Sequence, residues 1–493
     1  MPAPDYSDFL DFAACPKAVR QALKRVLPQG MVIAEEEEMR PFFRDGLPIY
    51  ASRPLAVLLP RDEADVIACL RVLADMKVPV VPRGAGTSLS GGAVPHPQGV
   101  VLSLAKLNRI FHLDPDRRLC RAQAGVRNAA ISEAAAPHGL FYAPDPSSQV
   151  ICSLGGNLAE NAGGIHCLKY GLTTHNAASL RLITMEGEAV NLGEEGGMDA
   201  MPLVIGSEGL LGVIVEATVV LRPLPQEVCL LLAGFPGVAE AGLAVGAIIE
   251  EGLVPAALEL MDALAIEASE AFCHPGYPLE AKALLLCELD GTRTQVEEEA
   301  ALAREIFSRC GAFVCKAAQD EEERQRFWSG RKATFPAAGR LAPDYYCMDG
   351  TIPREALASV LEEIGRLSGI HGLRVMNVFH AGDGNLHPVI LLDADDERQL
   401  QGALDLGSRI LHACLKAGGS ITGEHGVGVE KLDEMCFQFK EEELSSMRRV
   451  KSAFDPLGLL NPGKAIPTPR RCVEAGGRLV RGGAGASKEA PWF

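Results

Sequence analysis

The stretch Val80-Val81-Pro82-Arg83-Gly84-Ala85-Gly86-Thr87-Ser88-Leu89-Ser90-Gly91-Gly92 decides the fold. Its four glycines follow an apolar run, and one threonine and two serines lie between them. Glycine adopts positive φ and lets a ligand approach the backbone without a Cβ in the way. Successive N–H groups in such a loop can point at one anion. The stretch predicts a phosphate-binding loop, with a glycine-rich surface turn as the alternative.

A β-α-β unit is predicted to deliver this loop. Leu55 to Leu59 form a short apolar run, and Val78 to Val81 form another. Between them, Asp62 can cap a helix whose apolar positions share one face. A dinucleotide-binding Rossmann unit would need a third glycine and a helix directly after the loop. Here Leu89 takes the place of that glycine and no helical pattern follows, so the Rossmann interpretation fails.

The composition is typical of a globular protein with two or three domains. The 493 residues exceed the usual size of one compact domain. A net charge of −17 disfavours binding to nucleic acid or to an anionic membrane surface. The most apolar segment, Cys229 to Ile249, is interrupted by Pro236 and Gly237, so it predicts a strand and a core helix. The first residues show no secretory signal pattern, and we expect a cytoplasmic chain.

The fourteen cysteines are scattered, and no two have C-x-x-C spacing. In a cytoplasmic chain, such cysteines are expected to be reduced thiols in the core. The missing spacing also argues against an iron–sulfur cluster in this chain.

Glycine-rich runs recur through the first half of the chain, at 153–157, 161–164 and 205–212, beside the proline-rich run 144–148. So many glycines at loop positions favour a backbone wrapped around a large, extended ligand, with a loop-rich fold as the alternative. Pro223 and Pro225 mark a boundary, after which strands and helices alternate again. That alternation predicts a second domain packed over the first.

Two histidines flank a tight turn in the second half. The turn Gly382-Asp383-Gly384-Asn385 separates two apolar runs, which predicts a hairpin with His380 and His387 at facing strand ends. A third piece, Glu424-His425, lies between glycines. Two imidazoles and one carboxylate suit zinc, manganese or ferrous iron. The alternative for Glu424 and His425 is a hydrogen-bonded pair that stabilises a turn.

Arg331 is a further candidate, because a planar guanidinium suits bidentate binding of a carboxylate. A surface arginine on a helix is the alternative.

With these residues together, the chain resembles the FAD-linked oxidases of the vanillyl-alcohol-oxidase type, in the branch of 2-hydroxy-acid dehydrogenases that includes enzymes for D-lactate and glycolate. The resemblance extends from about Arg53 to Lys464. It rests on the runs Pro-Arg-Gly-Ala-Gly-Thr (82–87), Tyr-Ala-Pro-Asp-Pro-Ser-Ser (142–148), His-Cys-Leu-Lys-Tyr-Gly (166–171) and Phe-Asp-Pro-Leu-Gly-Leu-Leu-Asn-Pro-Gly-Lys (454–464).

The resemblance implies an α+β fold with a two-part FAD-binding domain of the vanillyl-alcohol-oxidase (PCMH) type and a ferredoxin-like α/β cap domain. The FAD-binding domain would span 50–226 and the cap, which carries the substrate site, 227–466. A helical lead-in would occupy 1–49 and a tail 467–493.

The resemblance also implies the roles of individual residues. Noncovalent FAD would be held by Pro82, Arg83, Gly84, Ala85, Gly86, Thr87, Ser88, Gly91, Gly92, Pro144, Asp145, Ser148, Gly155, Gly156, Asn161, Gly164, Ile214 and Asn461. A divalent metal would be held by His380, His387 and Glu424, with His425 beside the substrate and Arg331 on its carboxylate. Relatives acting on larger 2-hydroxy acids have a lysine near the position of Cys347, so a smaller monocarboxylate is expected here.

The implied reaction is hydride transfer from a small 2-hydroxy acid to FAD, glycolate to glyoxylate and also D-lactate to pyruvate. A D-lactate or D-2-hydroxyglutarate dehydrogenase is the alternative. Electrons would leave through a second flavin-domain subunit and an iron–sulfur subunit, which would also bring the chain to the inner membrane. Two other classes stay open: a non-haem iron oxygenase built on His380, His387 and Glu424, and a flavin-binding subunit without turnover of its own.

Overall fold

The computed structural model describes residues 15–193, 199–473 and 475. Most of the predicted tail therefore lies outside the described residues, as do the first residues of the predicted lead-in. The described chain forms two halves, each built around its own sheets and connected near Pro223.

The first half contains two main sheets and short helices. Its strands are β1 (Val32–Ile33), β2 (Ala56–Leu58), β3 (Val80–Arg83), β4 (Val100–Ser103), β5 (Ile110–Asp114), β6 (Leu119–Gln123), β7 (Leu140–Phe141), β8 (Ala177–Ile183), β9 (Ala189–Leu192), β10 (Val213–Val220) and β11 (Arg222–Pro223). Its helices are α1 (Pro16–Val26), α2 (Glu36–Met39), α3 (Glu63–Asp75), α4 (Asn128–Ala135), α5 (Leu154–Glu160), α6 (Cys167–Tyr170) and α7 (Met201–Val204).

The predicted β-α-β unit is present in the first sheet. Strands β2 and β3 both pair parallel with β4, and α3 connects them. The side chain of Asp62 accepts a hydrogen bond from the Asp65 N–H at 2.9 Å and caps α3. No helix lies between β3 and β4, so the loop 84–99 is free to line a cavity instead of opening a Rossmann helix.

The second sheet is antiparallel, in the order β5-β6-β10-β8-β9. Helix α5 packs on this sheet beside β6 and β10. The proline-rich loop 144–148 and the glycine-rich loop 205–212 lie on the same side as the 84–92 loop, because residues of all three line one cavity.

The second half is built on one large antiparallel sheet with helices packed against it. Its strands are β12 (Glu227–Phe235), β13 (Ala257–Asp262), β14 (Ala283–Gly291), β15 (Val314–Ala317), β16 (Asp344–Cys347), β17 (Gly350–Thr351), β18 (Val375–His380), β19 (Asn385–Leu386) and β20 (Pro388–Leu392). Its helices are α8 (Val238–Glu250), α9 (Ala263–Cys273), α10 (Arg293–Arg309), α11 (Glu321–Lys332), α12 (Thr334–Ala338), α13 (Leu357–His371), α14 (Glu397–Lys416), α15 (Leu432–Gln438) and α16 (Glu441–Phe454).

The apolar segment from Cys229 to Ile249 forms a strand and a helix, β12 and α8, as predicted. Within the described residues, no helix combines the length and the apolar character needed to cross a membrane.

The histidine hairpin is also present, with one difference from the prediction. His380 pairs with Asn385 across the turn, but the second apolar run is broken at His387 into β19 and β20. Strand β19 pairs with β17, whereas β20 pairs with β16 and β18. The break places His387 between two strand pairings.

The prediction for the cysteines was wrong for one pair. Cys436 on α15 and Cys472 form a disulfide, while the other twelve cysteines are free. The two residues are 36 positions apart in the sequence, so their pairing depends on the docking of 467–473 against α15. That tertiary contact leaves no signal in cysteine spacing.

Candidate functional site

A cavity of about 530 Å³ runs from the glycine loop of the first half to the histidine cluster of the second. The residues from Pro82 to Ser88 line one part of it, and His387, Glu424 and His425 line another. Of the residues predicted to hold a cofactor, the structure places these on the wall: Pro82, Arg83, Gly84, Ala85, Gly86, Thr87, Ser88, Gly92, Ser148, Gly155, Gly156 and Ile214.

The other predicted cofactor residues are not among the lining residues. These residues are Gly91, Pro144, Asp145, Asn161, Gly164 and Asn461. Asn461, for example, donates hydrogen bonds from its Nδ2 to the carbonyl oxygens of Gly92 and Glu208. These contacts hold the glycine loop in place from the end of the chain.

Close packing explains two of the wall glycines. A Cβ added to Gly155 would lie 2.6 Å from the Ala124 Cβ, and one added to Gly84 would collide with the Ser153 Oγ. Side chains at these positions would force α5 away from β6 or the loop away from Ser153. The two glycines therefore let this part of the cavity wall pack closely.

The hairpin and the 423–426 turn bring three predicted donor atoms together. The Nε2 atoms of His380 and His387 each lie 3.2 Å from Glu424 Oε1. His387 Nε2 is buried and makes no hydrogen bond. The ring of His425 stacks on that of His387, with centroids 4.9 Å apart. The side chains of His380 and His387 are about 5% and 4% exposed, so this cluster is nearly closed to solvent.

The surroundings keep Glu424 in its charged form and His425 in its neutral form. Burial opposes ionisation of Glu424, but the adjacent imidazoles of His380 and His387 outweigh it and hold its pKa well below the ordinary value. Burial lowers the pKa of His425 to about 4, although Asp349 opposes this. His425 is consequently neutral at pH 7, and its Nδ1 is buried without a hydrogen-bond partner.

Arg331 is placed behind the cluster, and it is not among the residues that line the cavity. Its side chain is 2% exposed and its Nε and Nη2 both bind Glu259 Oε2, at 2.8 and 2.6 Å. The other oxygen of Glu259 lies 2.7 Å from His380 Nδ1. Arg331 thus acts on His380 through Glu259, whereas the neighbouring Lys332 is among the residues that line the cavity, as is Arg83 in the glycine loop.

Sequence reasoning missed two carboxylates of the site. Asp349, His387, Glu424 and His425 have potential ligand atoms within 4.8 Å of one another. Glu208, which lines the cavity, accepts hydrogen bonds from the N–H groups of Val427 and Gly428. The available signal for Glu208 was its glycine-rich run at 205–212, and for Asp349 it was its position directly after the buried strand β16.

Comparison with known proteins agrees with this arrangement. Residues 54–193 match the family model described as FAD binding domain, and residues 224–465 match the one described as FAD linked oxidases, C-terminal domain. The glycolate oxidase subunit GlcD of Escherichia coli (strain K12) is 53% identical over 470 residues, 94% of each chain. The chain belongs to the FAD-linked oxidases. This confirms the resemblance predicted from the sequence, and it identifies an FAD-dependent oxidoreductase.

Other relatives of this FAD-linked oxidase carry related names. The D-lactate dehydrogenase of Archaeoglobus fulgidus is 31% identical, covering 84% of this chain and 92% of its own. The D-2-hydroxyglutarate dehydrogenase of Xanthomonas citri pv. viticola is 33% identical, covering 91% of this chain and 96% of its own.

Solved structures confirm the fold. A p-cresol methylhydroxylase with substrate bound superimposes with a TM-score of 0.79 at 15% identity, covering 92% of this chain and 97% of that one. The 4-ethylphenol oxidase from Gulosibacter chungangensis gives 0.77 at 18% identity, covering 95% and 100%. The predicted α+β fold with a vanillyl-alcohol-oxidase-type FAD domain is therefore confirmed.

Proposed function

We propose that this FAD-linked oxidase oxidises a small 2-hydroxy acid to the 2-oxo acid, with glycolate as its main substrate and D-lactate as a second. The observation that carries the proposal is the single cavity that joins the glycine cradle to His387, Glu424 and His425. The identity to a glycolate oxidase subunit favours glycolate over the larger 2-hydroxyglutarate.

The cradle fits noncovalent FAD. The glycine loop and the start of α5 line it with backbone and small side chains, and Gly84 and Gly155 leave no room for a Cβ against Ser153 and Ala124. When bound, FAD supplies an acceptor for the hydride that leaves the substrate C2. Because the chain belongs to the FAD-linked oxidases, this flavin chemistry displaces the alternative of a non-haem iron oxygenase.

The histidine cluster fits a divalent metal held by His380, His387 and Glu424. Donor atoms about 2.1 Å from one tetrahedral ion are about 3.4 Å apart, close to the 3.2 Å separations found here. His387 Nε2 is buried beside Glu424 without a hydrogen bond, which is an environment that suits a metal-ligand atom. When bound, such an ion lowers the pKa of a hydroxyl that it touches.

His425 is the proposed general base. It is neutral at pH 7, it lines the cavity, and its imidazole can accept the proton of the substrate hydroxyl as the hydride leaves C2. Proton and hydride together account for the two-electron oxidation of the alcohol to the ketone or aldehyde. Lys332 is the proposed partner of the substrate carboxylate, since it is among the residues that line the cavity and Arg331 is bound to Glu259.

The residues that line the cavity also include Phe335 and Tyr345, whose ring centroids lie 5.8 Å apart. Cys347 is buried nearby on β16 and adds no charge. Such a wall favours a short monocarboxylate over a dicarboxylate.

The same proposal extends to partners and location. The Escherichia coli relative is a glycolate oxidase subunit, GlcD. We propose that electrons leave this chain through partner subunits, a second flavin-domain subunit and an iron–sulfur subunit, in the cytoplasm or at the inner face of the membrane. The acidic composition disfavours direct binding of this chain to nucleic acid or anionic lipid.

The test is the variant His425→Ala, compared with His412→Ala, which changes another largely buried histidine on α14 that does not line this cavity. Loss of a general base costs about 10²- to 10⁴-fold in turnover. We expect that loss for His425→Ala with glycolate and a dye acceptor, with the flavin absorbance retained. Wild-type turnover in His425→Ala would contradict the proposal, as would an equal loss in His412→Ala.

A further inference from the structure

We infer that Asp349 is a positioning residue whose carboxylate, paired with Lys431, aims Glu424 and His425 into the cavity. The inference rests on the proposed function, because it assigns Asp349 a part in the same site. Asp349 lies between β16 and β17, at the edge of the sheet next to β19. It is fully buried.

The carboxylate of Asp349 collects donors from the whole 422–425 turn. Its Oδ2 accepts from the Thr422 hydroxyl at 2.6 Å, from the Gly423 N–H at 3.1 Å and from the His425 N–H at 2.9 Å. Its Oδ1 accepts from the Glu424 N–H at 3.2 Å. The Gly423 N–H also donates to the Asp349 backbone carbonyl at 3.0 Å. Every residue of the turn is therefore tied to this one aspartate.

Lys431 completes the arrangement from the other side. Its ammonium lies 3.1 Å from Asp349 Oδ2 and donates to the Gly426 carbonyl, also at 3.1 Å. The side chains of Lys431 and Asp349 are both 0% exposed. The pair consequently holds both ends of the segment 422–426 that carries Glu424 and His425.

These contacts assign Asp349 to positioning and not to metal binding. A carboxylate has about four lone-pair sites. Thr422, Gly423, His425 and Lys431 all bind Oδ2, and the Glu424 N–H binds Oδ1, so each oxygen already has a partner in the turn. The 3.6 Å between Asp349 Oδ1 and His387 Nε2 is too long for a hydrogen bond. Asp349 is thus near the donor cluster but is satisfied by the turn behind it.

The turn packs directly against the histidine hairpin, so a shift of the turn changes the distances within the cluster. A Cβ on Gly423 would collide with the Asn385 side chain of the histidine hairpin, so the turn and the hairpin are in direct contact. A misplacement of about 1 Å can cost roughly 10²-fold in rate. Removing the anchor is therefore expected to separate Glu424 from His380 and His387.

The experiment compares Asp349→Asn with Asp65→Asn. Asp65 resembles Asp349 in being buried, in pairing with a cationic side chain (here Arg61) and in accepting a backbone N–H. It lies on α3 and is not among the residues that line the cavity. Each protein is purified with its flavin, stripped with a chelator and reloaded with Mn²⁺ or Zn²⁺. Metal per flavin, kcat and KM for glycolate, and the melting temperature are measured.

For Asp349→Asn we expect bound metal to fall by at least half and kcat to fall about 100-fold, with flavin content unchanged. Asp65→Asn is expected to change only the melting temperature. Normal metal content and normal kcat in a folded Asp349→Asn would overturn the inference. If the wild type binds metal but is not reduced by any 2-hydroxy acid, the proposed function fails while the metal measurement still decides the role of Asp349.

If Asp349→Asn does not fold, a variant that removes only one of the contacts of Asp349 tests the inference instead. Thr422→Val removes the 2.6 Å hydrogen bond to Asp349 but leaves the buried charge pair intact. We expect a smaller loss of kcat in the same direction, together with weaker metal retention. An unchanged kcat and unchanged metal content in Thr422→Val would contradict the inference.

Discussion

At the scale of single residues, the site depends on side chains that never reach the cavity. Glu259 is 1% exposed and binds both Arg331 and His380. Burial opposes its ionisation, but the charges of His380 and Arg331 outweigh that and lower its pKa. The buried arginine thus keeps Glu259 ionised, and Glu259 fixes the ring of His380 by accepting from its Nδ1.

Arg331→Met is therefore expected to destabilise the protein more than it weakens substrate binding. Breaking a buried ion pair by removing one partner costs roughly 3–5 kcal/mol, because the other charge stays buried. Arg366→Met, which removes the exposed arginine of the Arg366–Glu363 pair, is the control and should cost less than about 1 kcal/mol. Denaturant unfolding of both variants measures the difference. A variant Arg331→Met with normal stability and a greatly raised KM would instead favour direct binding of the substrate carboxylate.

Residue roles could be predicted only where neighbours in the sequence are neighbours in space. The turn 382–385 was enough to predict that the rings of His380 and His387 come together, and their centroids lie 5.1 Å apart although His380 pairs with Asn385. Asp349 reaches the turn 422–425 across 73 to 76 residues, and Glu259 reaches Arg331 across 72. No local pattern encodes such pairs, and so the sequence offered no partner for either acid.

At the scale of elements, helix α5 shows how packing shapes the cavity. Its Gly155 lies against Ala124 at the end of β6, and its N-cap Ser153 accepts from the Gly156 N–H at 3.3 Å. Such a contact requires glycine because no larger residue lets the helix lie this close to the strand.

Gly155→Ala and Gly246→Ala form a matched pair of helical glycine substitutions. A Cβ at Gly246 on α8 meets nothing within 4 Å, whereas one at Gly155 meets Ala124 at 2.6 Å. Alanine is the better helix former by about 1 kcal/mol, so Gly246→Ala should be neutral or stabilising. Gly155→Ala should lower the flavin content after purification. Flavin absorbance per protein measures this, and equal flavin content in both variants would contradict the packing argument.

Helices and strands could be predicted from the sequence where a capping residue and the spacing of the apolar residues indicate the same element. The β-α-β unit has an aspartate cap and one apolar face, and it formed as predicted. The break in the second hairpin strand at His387 was not predictable, because it results from β17 pairing with β19. Competition between partner strands is a tertiary effect.

At the scale of the whole molecule, the segment His166 to Tyr170 connects the two halves. His166 Nδ1 lies 2.8 Å from Asp145 in the first half, and its Nε2 lies 3.1 Å from Glu288 in the second. Trp328 Nε1 donates to the other oxygen of Glu288 at 2.6 Å. Tyr170 donates to Asp290 at 2.5 Å on the same strand, β14. One histidine thus joins the predicted flavin-binding segment to the cap.

This contact predicts a pH-dependent stability. Burial disfavours the charged His166, but Asp145 and Glu288 outweigh it and raise its pKa well above the ordinary value. A raised folded-state pKa gives stability that is complete below the unfolded pKa of about 6.5 and is lost as pH rises through the folded value. The melting-temperature difference between wild type and His166→Gln should therefore be largest near pH 6 and shrink in alkaline buffer. A difference that grows with pH would contradict this assignment.

The central claim is that one cavity joins FAD to the chemistry of a small 2-hydroxy acid. The most direct test is anaerobic mixing of the purified flavoprotein with glycolate, D-lactate, L-lactate or D-2-hydroxyglutarate, while the blue absorption band of the flavin is followed. We predict that glycolate bleaches the band fastest, that D-lactate follows, and that D-2-hydroxyglutarate is slow. A flavin that no 2-hydroxy acid bleaches, or one that D-2-hydroxyglutarate bleaches fastest, would contradict the claim.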